Sequence, residues 1–181
     1  MTHPDEPRPG DASEAPPSGP DALARAQAML AEAAGAIVAG VERCVPAWVP
    51  AQVARILDAW GRTEPSARAE AEAAAAAAGP EVAARVADEL RDLFAQDPAD
   101  QMRTPLQVVR TAVREPTEIL AAAGVPAVVR DEFEARTQPE DRYGLAPRTL
   151  GDLGDPDLAP YLLVWGRAKA TILRARADAG A

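Results

Sequence analysis

The sequence predicts an all-α fold, an irregular bundle of about six helices, several of them interrupted by proline. Three observations lead there. Apolar residues recur at three- and four-residue spacing along most of the chain, the signature of one helix face. No run alternates apolar and polar residues, and no Asn-Gly turn joins two such runs, so strands and hairpins find no support. Aromatic residues make up only 4% of the chain, which leaves Ala, Val, Leu and Ile to fill the core, as close-packed helices use them.

Residues 1–20 hold six prolines and four acids, with no large apolar residue after Met1. Such a segment buries too little surface to offset its ordering entropy and is expected to be a disordered tail. The single domain is expected to span residues 21–178. Asp21 reads as the N-cap of a first helix over residues 22–44, with Leu30, Ala34, Ile37, Val41 and Cys44 as its apolar stripe. Gly35 and Gly40 each weaken that helix by about 1 kcal/mol relative to Ala. Gly40 with Ala36 either admits a close neighbour or is simply tolerated. Pro46 and Pro50 predict a break, because proline lacks an N–H and clashes with the preceding turn. A second helix then runs to Trp60, with Trp48 and Trp60 as anchors at its two ends.

The alanine-rich stretch from Pro65 to Ala78 predicts a third helix, ended by Gly79–Pro80. It either packs tightly on a partner or serves as a solvated spacer. Pro80 opens an amphipathic helix with Val82, Val86, Leu90, Leu93 and Phe94 inward and a Glu81–Arg85 pair outside. Asp97, Pro98 and Asp100 make a turn. Thr104, Pro105 and Gln107 then combine an N-cap, a first-position proline and a capping-box partner. Leu106, Val109 and Val113 continue that helix, Pro116 interrupts it, and Gly124 is a natural residue just past its end. Pro126 is expected to open a further helix with Val129 and Phe133 one turn apart. Residues 137–157 are rich in Gly and Pro yet carry Tyr143, Leu145, Leu150 and Leu153. That combination predicts an ordered loop lying over the bundle. The last helix follows Asp155–Pro156, with Leu158, Tyr161, Leu162, Trp165, Ala168 and Ile172 inward.

Composition narrows the function. The net charge is −9, and the excess acid lies in the first hundred residues. A general nucleic-acid binder needs a basic surface, so the balance argues against one. Sequence-specific DNA contact through the last helix stands as the weakest of the readings kept open. The N-terminus has prolines and acids where a signal peptide needs a basic start and an apolar run. No uncharged run approaches the ~18–20 residues of a membrane span. A cytoplasmic protein with no membrane partner is expected. Cys44 is the only cysteine, and its place on an apolar stripe predicts an inert, packed thiol.

Candidate chemistry is sparse. The only histidine, His3, falls in the tail, which removes histidine-dependent catalysis and metal binding. No cysteine pair, EF-hand loop or phosphate-binding glycine loop is present. Asp131, Glu132 and Glu134 form a conceivable carboxylate site, but Glu132 and Arg136 at four-residue spacing read better as a charged surface face. Ser13, Ser18 and Ser66 have no base to activate them. No cofactor is expected, no catalytic or metal-ligating residue is assigned, and a binding protein is expected before an enzyme.

One feature stands out. Between Asp100 and Glu115 there is no acid, while Arg103, Arg110 and Arg114 are present. On a continuous α-helix they fall within roughly 40° of one another, along the edge of the apolar face. With Arg142 and Tyr143 from the following loop, they are the candidate partner-binding residues, suited to an acidic protein partner. The competing reading pairs these arginines with the chain's own acids, Asp88, Glu89 or Asp131. The resulting function is a helical protein-interaction module, an adaptor or regulator. The alternative is a small-molecule-binding protein or enzyme with a pocket between helices, gated by residues 137–157. In RTPLQVVRTAVREPTEIL and PEDRYGLAP the chain resembles small all-helical proteins of actinobacterial type, a group without an assigned function. That resemblance implies no site residue.

Overall fold

The computed structural model describes residues 20–180. The expected tail, apart from Pro20, lies outside them, as do His3, Ser13 and Ser18. The described residues are all-α, with no strand. Helix α1 runs Pro20–Trp60 and α2 runs Pro65–Ala95. After a turn come α3 (Pro105–Val109), a 3-10 turn (Arg110–Val113) and α4 (Arg114–Ala122). Helix α5 (Glu132–Thr137), two further 3-10 turns (Leu150–Leu153 and Pro156–Leu158) and α6 (Ala159–Gly180) complete the chain.

Two expected breaks are absent. Pro46 and Pro50 lie inside α1, and Pro80 lies inside α2. The reason is tertiary. A proline inside a helix costs about 3 kcal/mol. Beyond Pro46, however, Trp48, Val49, Val53 and Leu57 are all buried, and burying each large apolar side chain contributes ~1.5–3 kcal/mol. Keeping that row in line with Ile37, Val41 and Val45 outweighs the prolines. The same holds past Pro80, where Val82, Val86, Leu90 and Leu93 are buried. The stripe of α1 is therefore Ala33, Ile37, Val41, Val45, Val49, Val53 and Leu57. Leu30, Ala34 and Cys44 lie at its edge, half-buried. Trp60 is exposed under the Arg62 guanidinium, 5.6 Å from the ring centre, so it is no anchor.

Gly61 (φ 63°) ends α1, and the link 61–64 is short enough to force α2 to return antiparallel along it. Pairs at three heights record this: Arg68 with Asp58, Gly79 against Pro46, and Arg91 with Glu42. Ala71 and Ala75 are buried, and the alanine-rich part of α2 lies beside Ile119 of α4 and Ala123, the residue that caps it. It is not a spacer. Helix α6 packs antiparallel on α1, where the Leu158 side chain fills the space left by Gly40. Arg43 pairs with Asp155 at 2.5 Å beside that contact. The inward row expected of the last helix is inward: Leu158 of the preceding 3-10 turn and Trp165, Ala168 and Ile172 of α6 are buried, and Tyr161 and Leu162 pack against the core.

The middle of the chain is shaped by caps. Thr104 and Gln107 form the reciprocal capping box. Pro116 does interrupt the helix: the chain tightens to a 3-10 turn at 110–113, which puts Pro116 in the first turn of α4, where an N–H has no helical partner anyway. Gly124 (φ 77°) closes α4, with Gly124 N donating to Ala121 O and Val125 N to Leu120 O, both 3.1 Å. Pro126 does not open a helix. Residues 126–131 are irregular, and α5 starts only after Asp131, whose carboxylate accepts from Phe133 N at 2.8 Å.

Candidate functional site

The loop 137–157 is ordered by one buried carboxylate. Asp141 accepts from Leu145 N at 2.7 Å and Ala146 N at 2.8 Å, which bends the chain around Gly144 (φ 67°). The bend drives Tyr143 and Leu145 into the core, and Leu150 and Leu153 follow. Tyr143 was a candidate for partner contact. It is buried instead, and its hydroxyl donates to Val125 O at 2.7 Å, tying the loop to the end of α4. Burial pushes the Tyr143 phenol above its ordinary value.

Arg103 turns to α2, whereas Arg110 and Arg114 both reach the loop 137–157. Arg103 precedes the helix, Arg110 opens the 3-10 turn and Arg114 starts α4. The helix tightens to a 3-10 turn at 110–113, and each of the three bonds within the chain. Arg103 lies 3.6 Å from Glu89, one of the acids named from sequence. Arg110 is half-buried, and its Nε donates to Pro147 O at 3.0 Å. Arg114 pairs with Glu140 at 3.2 Å. The Glu81–Arg85 pair is likewise replaced: Arg85 reaches Glu115 at 2.8 Å and Glu89 at 3.3 Å. Glu132 and Arg136 do pair, at 3.6 Å.

Arg142 differs from the others. It is exposed, and no ion pair involves it among the described residues. Its side chain borders a shallow hollow of about 230 Å³ with Arg114, Thr117, Glu118 and Glu140. Two cations there face two carboxylates, so an entering anion must displace Glu140 from Arg114. No group of His, Cys, Asp or Glu among the described residues is arranged to hold a metal ion. No described helix is long and apolar enough to cross a membrane.

Next to Arg142, through the Val128–Arg142 bond, lies an exposed apolar segment. Val128 N donates to Arg142 O at 3.2 Å, and Arg130 Nη1 donates to Gln138 O at 3.1 Å. The first bond ties the segment to the loop 137–157 and the second closes the segment on itself, while its apolar side chains face water. Val129 is fully exposed, Phe133 is 73% exposed and Val128 is 45% exposed. Met102 and Leu163 are also exposed, but each stands alone, which is ordinary for a folded surface. Three large apolar groups within six residues are not. Sequence spacing placed Val129 and Phe133 on one helix face, and a helix face with that spacing reads as inward. The overlooked signal was Asp131, a helix cap that leaves Val129 outside the helix.

One cleft lies between α1, the end of α2 and α6, and no residue of the loop 137–157 lines it; a hollow of about 200 Å³ beside Gln107, Arg110 and Thr111 is lined by that loop's residues from Thr137 to Asp141. Comparison of the chain with family models, with curated proteins and with solved structures finds no match.

Proposed function

We propose that this chain is a cytoplasmic helical interaction module that docks on another protein through Val128, Val129 and Phe133. The observation that carries the reading is the exposure of Val129 and Phe133 on a segment tied to Arg142 through Val128 N. Leaving a Val and a Phe in water forgoes ~1.5–3 kcal/mol each relative to burial. A fixed apolar projection of this kind, with an aromatic at its tip, has the composition of an interface centre. Arg142 at its base suits a partner whose apolar recess has an acidic rim. The arginines 103, 110 and 114 support this reading only from behind, since each already bonds within the chain.

The test is affinity capture from a lysate of the source cells at low and moderate salt, with wild type, Val129→Ser/Phe133→Ser and Arg103→Ala/Arg114→Ala compared. A stoichiometric protein held by wild type and the arginine variant, but weakened at least ~10-fold by the apolar variant, supports the proposal. Retention by the apolar variant with loss in the arginine variant refutes it. Sedimentation of the purified chain identifies the partner as a second copy if the apolar variant alone becomes monomeric.

A further inference from the structure

The projection of Val129 and Phe133 has a counterpart close by on the same chain. A hollow of about 250 Å³ opens between α2 and α4, walled by Ala67, Ala71, Ala74, Ile119, Ala122 and Ala123. Ala74 and Ala122 are exposed and Ile119 is half-buried, so the walls present apolar groups to water. No residue of 126–137 lines the hollow. A dry apolar cavity of about 150 Å³ holds a benzene ring, which leaves room here for one phenyl side chain.

Position makes the two features neighbours. Ala123 lies at the edge of the hollow, and Gly124 (φ 77°) turns the chain from there into the projection. Arg142 is tied to the projection through Val128 N and borders α4 from its other side, beside Glu118 and Ala121. Hollow and projection therefore flank the last turn of α4. A patch with a knob beside a hole is self-complementary under a two-fold axis, the symmetry of most closed oligomers.

Charge agrees with that arrangement. Glu70 stands exposed at the rim of the hollow, and Arg142 stands exposed at the base of the projection. The neighbouring pairs, Arg68–Glu72 and Arg114–Glu140, leave both out. Across a two-fold axis each of these acids meets the other copy's arginine. Area favours two contacts over one. An aromatic side chain buries ~150–250 Å², so one projection with its hollow gives roughly 700 Å², short of the ~1,000 Å² a specific interface needs. Reciprocal insertion doubles it to roughly 1,400 Å², within the standard range.

We infer that the partner docking on Val129 and Phe133 is a second copy of this chain. Phe133 of each copy enters the hollow between α2 and α4 of the other, and Arg142 pairs with Glu70 across the interface. This rests on the docking reading above and adds the identity of the partner.

The test is sedimentation velocity of the purified full chain through the micromolar range, with helicity checked by circular dichroism. Wild type is expected to dimerise. Phe133→Ser removes the knob, and Ala74→Gln, an exposed position and a good helix former, fills the hollow. Each should weaken the dimer at least ~10-fold with helicity unchanged. Glu70→Arg and Arg142→Glu should each weaken it, and both exchanges in one chain should restore it. A monomeric wild type overturns the inference, and lysate capture that still depends on Phe133 then leaves the docking reading standing with a different protein. A dimer weakened by Phe133→Ser but not by Ala74→Gln overturns the hollow as the receiving surface. Failure of the double exchange to restore the dimer overturns the pairing of Arg142 with Glu70. A dimer indifferent to Phe133→Ser overturns the inference, and the docking reading falls with it only if lysate capture is indifferent as well.

Discussion

Gly79 of α2 lies against the Pro46 carbonyl oxygen of α1, so closely that a Cβ on Gly79 would stand 2.4 Å from that oxygen. The two residues explain each other. Pro50 has no N–H, so the Pro46 carbonyl lacks its usual partner four residues on. Only a residue without a side chain lets the second helix approach that carbonyl. The contact fixes the height at which the two longest helices cross.

Gly79→Ala is therefore expected to destabilise the fold, although Ala is the better helix former by about 1 kcal/mol. The clash is with backbone, which cannot move aside as a side chain does, and overpacking of this kind costs ~1–3 kcal/mol. Gly35 provides the opposite sign. Nothing lies within 4 Å of its Cβ position, so Gly35→Ala should stabilise by up to about 1 kcal/mol. Urea unfolding of both variants checks the pair, and equal effects at the two sites contradict the packing argument.

Asp141→Ala should loosen residues 137–157 more than any other single change in that loop. It strips the acceptor from two amides, Leu145 N and Ala146 N, at a cost of ~1–3 kcal/mol for each buried donor left unpaired. Tyr143→Phe removes one bond to Val125 O and should cost ~0.5–1.5 kcal/mol. Hydrogen exchange at Leu145 and Ala146 reads the first effect directly. Unchanged protection in Asp141→Ala would show that the loop is held by its apolar side chains alone.

The arginine substitutions should separate by environment. Arg103 and Arg114 are about half exposed and pair with exposed or half-buried acids, so Arg103→Ala and Arg114→Ala should each change stability by ~0–1 kcal/mol. Arg110→Ala should cost more, ~1–3 kcal/mol, because it takes a charged donor from Pro147 O in a partly buried setting. Chemical denaturation measures all three. Equal losses would indicate that the three act as one surface stripe after all.

Acid should weaken the fold through three aspartates. Arg176 holds Asp97 below the ordinary carboxylate range, the backbone N–H of Thr149 does so for Asp152, and Arg43 does so for Asp155. A carboxylate with a lowered folded-state pKa stabilises fully above its unfolded value of about 3.9, and that stability is lost as pH falls through the folded value. Melting temperature should therefore be level above about pH 5 and decline below about pH 4. Asp152→Asn should flatten that decline. An identical acid limb in the variant would remove Asp152 from the account.

Sequence reading succeeded where the determining interaction is local. Thr104 with Gln107 and Gly124 at the end of α4 act within a few residues, and each is where its chemistry indicates; the large apolar groups of 137–157 are buried, as an ordered loop requires. It failed at Pro46, Pro50 and Pro80, because what keeps those helices whole is a partner thirty residues away. For the arginine stripe the structure favours the competing reading, internal bonding, with Arg103 on Glu89, Arg110 on Pro147 O and Arg114 on Glu140, and the last two partners lie too far along the chain to be read from spacing. Asp141 was overlooked because a carboxylate in a polar loop looks like surface until its two amide donors are brought to it. Val129 and Phe133 show the limit from the other side, since helical spacing carries no mark of whether a partner exists for the face.

The most direct measurement is photo-crosslinking in cells, with a benzophenone side chain placed at position 129 and, as a control, at the exposed position Ala24 of α1. One discrete crosslinked species is expected from position 129, lost when Phe133→Ser is added, and none from position 24. Crosslinking of the same intensity from both positions, or a species at 129 that persists in Phe133→Ser, would contradict it.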